Sequence, residues 1–389
     1  MSRVYLDHAA TTPPDPRILA AMWEVYTRHW GNPSSIYLEG QEARHVLDEA
    51  RAMCARLLGA LPREIVFTSG GTESDNAAIR GVALAQRARG RGTHIITTRV
   101  EHHAVLHTVE QLQGEGFTAT FLPVDRDGVV DLGALEEATG PDTALVSIMA
   151  ANNEVGTLQP VAEAARIARA RNPQVVVHTD AVQAAGAMDI APDALGVDLL
   201  SISAHKLHGP RGVGLLYVRS RTPFQAIMFG GGQEKERRAG TENVAGAAGL
   251  AAAMKLAWDE MPARIEHTGQ LRNRLLYELP ERIPGTVITG PSDPDRRLPN
   301  NFSCCFRNVE GESVLLGLDL ADIAASSGSA CTTGSMEPSH VLTAMGIDPD
   351  LAHASLRLTV GKDTTDAEID RLLSTLPGIV SRLRALAGA

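Results

Sequence analysis

Apolar positions recur every three to four residues over 15–28 and again over 39–58, which predicts two helices near the start of the chain. The second is amphipathic, with its charges at Glu42, Arg44, Asp48, Glu49 and Arg51. Past residue 60 the texture alternates. Short β-rich runs at 64–68, 94–98, 118–123, 143–148, 175–178, 198–203 and 213–218 are interleaved with helical periodicity at 74–89, 104–113, 132–138 and 161–171. Strands and helices taking turns predict an α/β fold, a mainly parallel central sheet wrapped by helices, with ligands at the carboxyl ends of the strands. After about residue 260 the pattern becomes helix, then short strands at 287–289, 301–307 and 356–360, then a last helix over 366–386. That change predicts a large domain over 14–260 and a smaller α+β domain built from 1–13 together with 261–389. No internal repeat, low-complexity linker or block of like charge interrupts the chain.

Composition narrows the choice of partners. The 389 residues, 44% hydrophobic and 21% charged, are enough to bury a large core. A formal net charge of -10 opposes a nucleic-acid or anionic-membrane surface, which calls for a basic field, so neither partner is expected. The N-terminal residues lack a hydrophobic signal core, and the longest apolar stretch, 244–254, is rich in Ala and Gly and too short to span a bilayer. The expected compartment is the cytoplasm. Cys54, Cys304, Cys305 and Cys331 show no CxxC spacing and no disulfide framework, which fits reduced thiols.

The candidate chemistry lies at the ends of the expected strands. Ser203-Ala204-His205-Lys206 follows an apolar run and precedes a Gly-rich turn, a poor place for a solvated charge and a good one for a Schiff-base lysine; an ordinary surface lysine is the alternative. Between residues 68 and 74 a strand runs into Gly70, Gly71 and Thr72 at a helix start, either a phosphate cradle of backbone N–H groups or a plain helix cap. His102 follows another strand and suits acid–base work or stacking on a planar ring. His103 and His107 have the spacing to share a metal on a helix, but nearby acids do not complete a ligand set, and no metal is expected. Asp180 follows the buried run Val175-Val176-Val177 and needs a cationic partner, a protonated pyridine nitrogen or a protein base. The set matches the needs of pyridoxal 5'-phosphate (PLP). A nicotinamide site is disfavoured by the missing GxGxxG after the first strand.

Over almost its whole length the chain resembles the cysteine desulfurases of the NifS/IscS-like type, within the fold-type I, class V aminotransferase group of PLP enzymes. The resemblance is carried by residues 5–12, 31–35, 68–76, 101–102, 152–156, 180–183, 203–206, 239–243, 326–331 and 355–357. It implies that Lys206 anchors the cofactor and moves the substrate α-proton. Asp180 would keep the pyridine nitrogen protonated, and His102 would stack on the ring and shuttle protons. Asn153 and Gln183 would bond around the phenolic oxygen. Gly71, Thr72, Ser203 and His205 would hold the phosphate, with Thr241 added from a neighbouring subunit, so a homodimer is expected. Arg357 would take the substrate carboxylate, a partner suited to a two-pronged guanidinium, with Asn153 alongside and Asn32 at the entrance.

Cys331 decides the reaction type. It sits in a run of small residues, 326–335, within a segment of about 322–338 assigned to the smaller domain, and the run predicts an exposed, mobile loop. The resemblance implies conversion of L-cysteine to L-alanine with the sulfur left on Cys331 as a persulfide, then passed to a protein acceptor such as an iron–sulfur scaffold, or used for tRNA thiolation. Cys331 as a transient iron–sulfur ligand stays open. Selenocysteine lyase activity or amino transfer without Cys331 are the alternative reactions. The chain departs from the family's common pattern at His103, where a lysine is common, and at Val182, where other residues also occur; the longer tail that some members use to dock a cluster scaffold is not expected, which leaves the sulfur acceptor open.

Overall fold

The computed structural model describes residues 3–328 and 338–388. Twelve strands are present among the described residues: β1 Val4–Tyr5, β2 Ile65–Thr68, β3 His94–Thr98, β4 Thr118–Leu122, β5 Thr143–Ser147, β6 Val176–Asp180, β7 Leu199–Ser203, β8 Gly214–Val218, β9 Thr286–Ile288, β10 Asn301–Phe306, β11 Ile323–Ala324 and β12 Ser355–Thr359. Seven of them form one sheet in the order β2-β8-β7-β6-β5-β3-β4. Only β8 runs against the rest, antiparallel to both β2 and β7. The mainly parallel sheet expected from the pattern is therefore present, and the carboxyl ends of β2, β3, β5, β6 and β7 share one edge.

The strands are apolar on both faces because both faces are covered. Ile65, Phe67, Ile96, Val146, Val177, Leu200, Ile202 and Leu215 point into one core. Their neighbours Val66, Ile95, Leu145, Val176, Leu199 and Leu216 point into another, filled by Ile79 and Val82 from helix Gly71–Ala88 and Val105 and Val109 from helix His103–Gly114. The period of two is thus read out as two cores. The first core also receives helix Val244–Asp259, which the sequence pattern marks only as an apolar stretch. Its small residues admit close neighbours: a Cβ on Gly249 would fall 2.8 Å from Met22 of helix Pro16–Arg28. Among the described residues no helix is long and apolar enough to cross a membrane.

The remaining strands belong to a separate core. The antiparallel sheet β12-β10-β9 and the short parallel pair β1-β11 pack with helices Met261–Arg282, Gly311–Leu320 and Asp366–Leu386. Val4 and Leu6 join Leu271, Leu275, Phe302, Leu358, Leu372 and Leu376 there. The chain's first residues are therefore held by its last third.

Candidate active site

The edge formed by the strand ends lines a cavity of about 410 Å³, to which β12 adds Arg357. At one end, β2 turns through Gly70 into helix Gly71–Ala88. Gly70 has φ +154°, and β8 passes so close that a Cβ on Gly214 would fall 2.6 Å from the Gly70 Cα, so both positions require glycine. The turn aims the helix N-terminus into the cavity, beside Thr72, Ser203 and His205. The free N–H groups of a helix start, with the positive end of its dipole, form an anion cradle. The His205 Nδ1 lies 3.1 Å from the Thr11 hydroxyl, and burial draws its imidazole down to about 4, so it is neutral near pH 7.

Lys206 follows β7 on a single 3-10 turn, Ala204–Lys206. Its Nζ donates to the carbonyls of Ala9 and Ala10, the latter at 2.8 Å. Residues 9–15 form a strap across this turn. The Thr12 N–H and hydroxyl donate to the His205 carbonyl, the His208 N–H donates to the Thr12 hydroxyl at 2.8 Å, and the Asp15 N–H donates to the His208 carbonyl. Gln183 reaches the same strap through a 3.1 Å bond to the Ala9 carbonyl. The two backbone carbonyls hold the amine at the edge of the cavity, where a carbonyl ligand can reach it.

Asp180 ends β6, one step earlier than a residue trailing a strand would. It is buried, takes the Val182 N–H at 2.8 Å, and is raised above the ordinary carboxylate range, chiefly by desolvation. His102 caps helix His103–Gly114, its Nδ1 accepting the Ala104 N–H at 3.1 Å, so the proton of the neutral ring is on Nε2. Burial, and next the charge of Lys206, draw it down to about 4.

Arg357 forms the rim with its guanidinium almost fully buried. Nη2 pairs with Asp7 at 2.9 Å, Nη1 donates to the Asn153 carbonyl at 2.9 Å, and Nε is buried without a hydrogen-bond partner among the described residues. Glu154 lies beside it, accepting the Ser339 hydroxyl at 2.5 Å and abutting Gly328, where a Cβ would fall 2.5 Å from its Oε2.

Lys206, His102, Asp180, Asn153, Gln183, Gly71, Thr72, Ser203, His205 and Arg357 all line this one cavity. Asn32 and Thr241 do not: both are exposed, Asn32 accepting the Ser34 N–H in a local turn. Cys331 lies outside the described residues. His103 stacks near His107 and His340, with ring centroids 4.8 and 4.6 Å apart, but no His, Cys, Asp or Glu group among the described residues is arranged to hold a metal ion. Asp7, Glu154, His340 and Asp75 are members of the site to which the sequence reading gave no role. Their partners are up to 350 positions away, a distance that periodicity does not span.

An anion cradle at one end, a buried acid in the body, a neutral imidazole at the side and a carbonyl-reactive amine fit a phosphorylated pyridine aldehyde. Such a donor set defines a class of protein, the PLP enzymes. A family model described as aminotransferase class-V matches residues 4–372, and the chain belongs to that family. Within it the chain groups with the cysteine desulfurases. It is 48% identical over 383 residues to the cysteine desulfurase IscS of Dictyoglomus turgidum, covering 98% of this chain and 96% of that protein. It is 45% identical over 384 residues to the IscS of Clostridium botulinum, covering 99% and 96%. A solved NifS-like protein superposes with a TM-score of 0.91 at 41% identity, covering 98% of this chain and 100% of that one. The protein is accordingly a PLP-dependent enzyme of fold type I.

Proposed function

We propose that this enzyme converts L-cysteine to L-alanine and leaves the sulfur on Cys331 as a persulfide for delivery to a protein acceptor such as an iron–sulfur scaffold. The observation that carries the reading is the convergence of Lys206, Asp180, His102 and Arg357 on one cavity. Bound there, PLP supplies an electron sink for charge developing at the substrate α-carbon. Gly71, Thr72, Ser203 and His205 would hold its phosphate, Asp180 would face its ring nitrogen, His102 would cover the ring, and Asn153 and Gln183 would flank its phenolic oxygen. Arg357 takes the substrate carboxylate and so turns the α-proton toward Lys206 Nζ, which removes it. The Cys331 thiolate attacks the substrate sulfur; an S–S bond forms as the Cβ–S bond breaks, and the electron pair stays on carbon, where a proton completes alanine. The sum is thiol plus cysteine giving persulfide plus alanine, without an outside oxidant.

Two further features belong to the same proposal. Thr241 lies exposed outside its own cavity, and Trp23 and Trp30 are 69% and 70% exposed, which favours a homodimer in which Thr241 reaches the partner's phosphate site. The unpaired thiols of Cys54, Cys304 and Cys305 favour a reducing compartment, the cytoplasm. The test is product analysis with L-cysteine. Wild type should yield alanine and persulfide in equal amounts. Cys331→Ser should keep the yellow absorbance of bound cofactor but lose persulfide, and Lys206→Ala should lose both the covalent absorbance and turnover. Undiminished sulfide release by Cys331→Ser, or amino transfer to a keto acid in place of alanine, would overturn the reading.

A further inference from the structure

Asp75 sits in the first turns of helix Gly71–Ala88, 1% exposed, and lines the same cavity as Asp180. It ends a buried polar chain that crosses the sheet. The Ser147 hydroxyl on β5 lies 2.9 Å from His178 Nδ1, His178 Nε2 lies 3.0 Å from the Ser201 hydroxyl on β7, and the Ser201 hydroxyl favours the charged form of the Asp75 carboxyl. Burial draws His178 down to about 3, so its ring is neutral. A neutral ring donating from Nε2 makes every link point the same way, from Ser147 through His178 and Ser201 to Asp75. The other Asp75 oxygen, Oδ1, is 3.7 Å from His178 Nε2 and has no hydrogen-bond partner among the described residues.

Three buried acids face this region: Asp75, Asp180 and Glu101. The nearby charged or titratable groups are the cation Lys206 and the neutral imidazoles His102 and His178. Three carboxylates packed together out of water are not all ionised. Their support differs. Glu101 Oε1 takes the Thr98 hydroxyl and the Met149 N–H, and Asp180 takes the Val182 N–H and would face the ring nitrogen of the proposed cofactor. Glu101 Oε2 and Asp75 Oδ1 are both without a hydrogen-bond partner among the described residues, but Asp75 has a single hydroxyl and no backbone N–H, the poorest support for a charge. We infer that Asp75 is a positioning residue that keeps a proton beside Asp180, supplying a neutral donor there and leaving the negative charge on Asp180. Desolvation and the Asp180 charge push the Asp75 carboxyl the same way, upward.

This inference rests on the reading of Asp180 given above, and the experiment separates the two. PLP affinity of the full-length chain, freed of cofactor, is measured by titration, along with the pH midpoint of the absorbance of the cofactor joined to Lys206. Asp75→Leu should weaken affinity about tenfold or more, the loss of one hydrogen bond to a charged group. The neutral amide of Asp75→Asn should restore affinity to within about threefold of wild type and leave the midpoint in place. If Asp75→Asn moves the midpoint as Asp180→Asn does, Asp75 is charged and the inference fails; it also fails if Asp75→Leu matches wild type. Should the leucine variant not fold, Ser201→Ala decides. It leaves the midpoint in place if Asp75 is protonated, and shifts it if Asp75 is an anion losing its hydroxyl donor. An Asp180→Asn variant with wild-type affinity and midpoint would instead remove Asp180 from the ring nitrogen.

Discussion

Arg357 enters the site with Nη1 and Nη2 already engaged by Asn153 and Asp7, so its plane is fixed before any substrate arrives. A guanidinium held this way presents a flat edge to a carboxylate, which a flexible ammonium does not. Arg357→Lys should therefore raise the KM for L-cysteine by about tenfold to a hundredfold, the loss of one charge-assisted hydrogen bond, while PLP affinity stays near wild type. Steady-state kinetics beside cofactor titration make the comparison, and an unchanged KM would take Arg357 out of the substrate site. At this scale the sequence is legible where a residue type carries its own chemistry: a lysine after an apolar run, an acid after Val175-Val176-Val177, a histidine at a helix start. It is silent on Asp7 and Asp75. Nothing local distinguishes them from caps or surface acids, and their surroundings come from Arg357, 350 positions along from Asp7, and from Ser201 on β7, nine elements after the helix of Asp75.

Elements were legible in proportion to their periodicity. The strands of the large sheet fall within a few residues of the apolar runs, because each run must fill a core on both faces. Helix Val244–Asp259 escaped, since Ala and Gly on every side erase the amphipathic signal. The strap 9–15 escaped because its order comes from bonds to residues 205–208 and not from its own pattern. A similar long-range tie holds the segment leading to Thr241. Glu234, at φ +45°, takes Arg51 in a two-pronged pair at 2.7 and 2.8 Å and also the Phe67 N–H, with both side chains nearly fully buried. Removing one member leaves the other charged and unpaired. Glu234→Gln should cost about 3 kcal/mol of stability, read as a lowered denaturation midpoint. A loss below about 1 kcal/mol, the ordinary worth of an exposed pair, would show that the pair does not pin the segment.

On the scale of the whole molecule, the site joins two cores, with Lys206 and Asp180 on the large sheet and Arg357 on the small one, and it gathers ionisable groups out of water. That concentration sets how stability responds to pH. His8, His102 and His205 are drawn down to about 4 and His178 to about 3, in each case mainly by burial, against 6.5 for the free side chain. Between pH 6.5 and 4.5 the unfolded chain binds protons at these four sites and the folded chain does not, so their contribution to stability is lost as pH falls. The buried acids act in the opposite sense. Glu101 is raised to about 8, and Asp75 and Asp180 are also raised, so in the same window the folded chain holds protons that the unfolded chain has released. His94, His103 and His208 are lowered as well, each mainly by burial, so the imidazoles outnumber the three carboxyls and the unfolded state is the one that binds more protons as pH falls. Thermal melts of the cofactor-free protein should therefore show Tm falling by roughly 2–5 °C from pH 6.5 to 4.5. A Tm that rises on acidification would mean that the carboxyls outweigh the imidazoles, and that at least one of these histidines is charged in the folded protein.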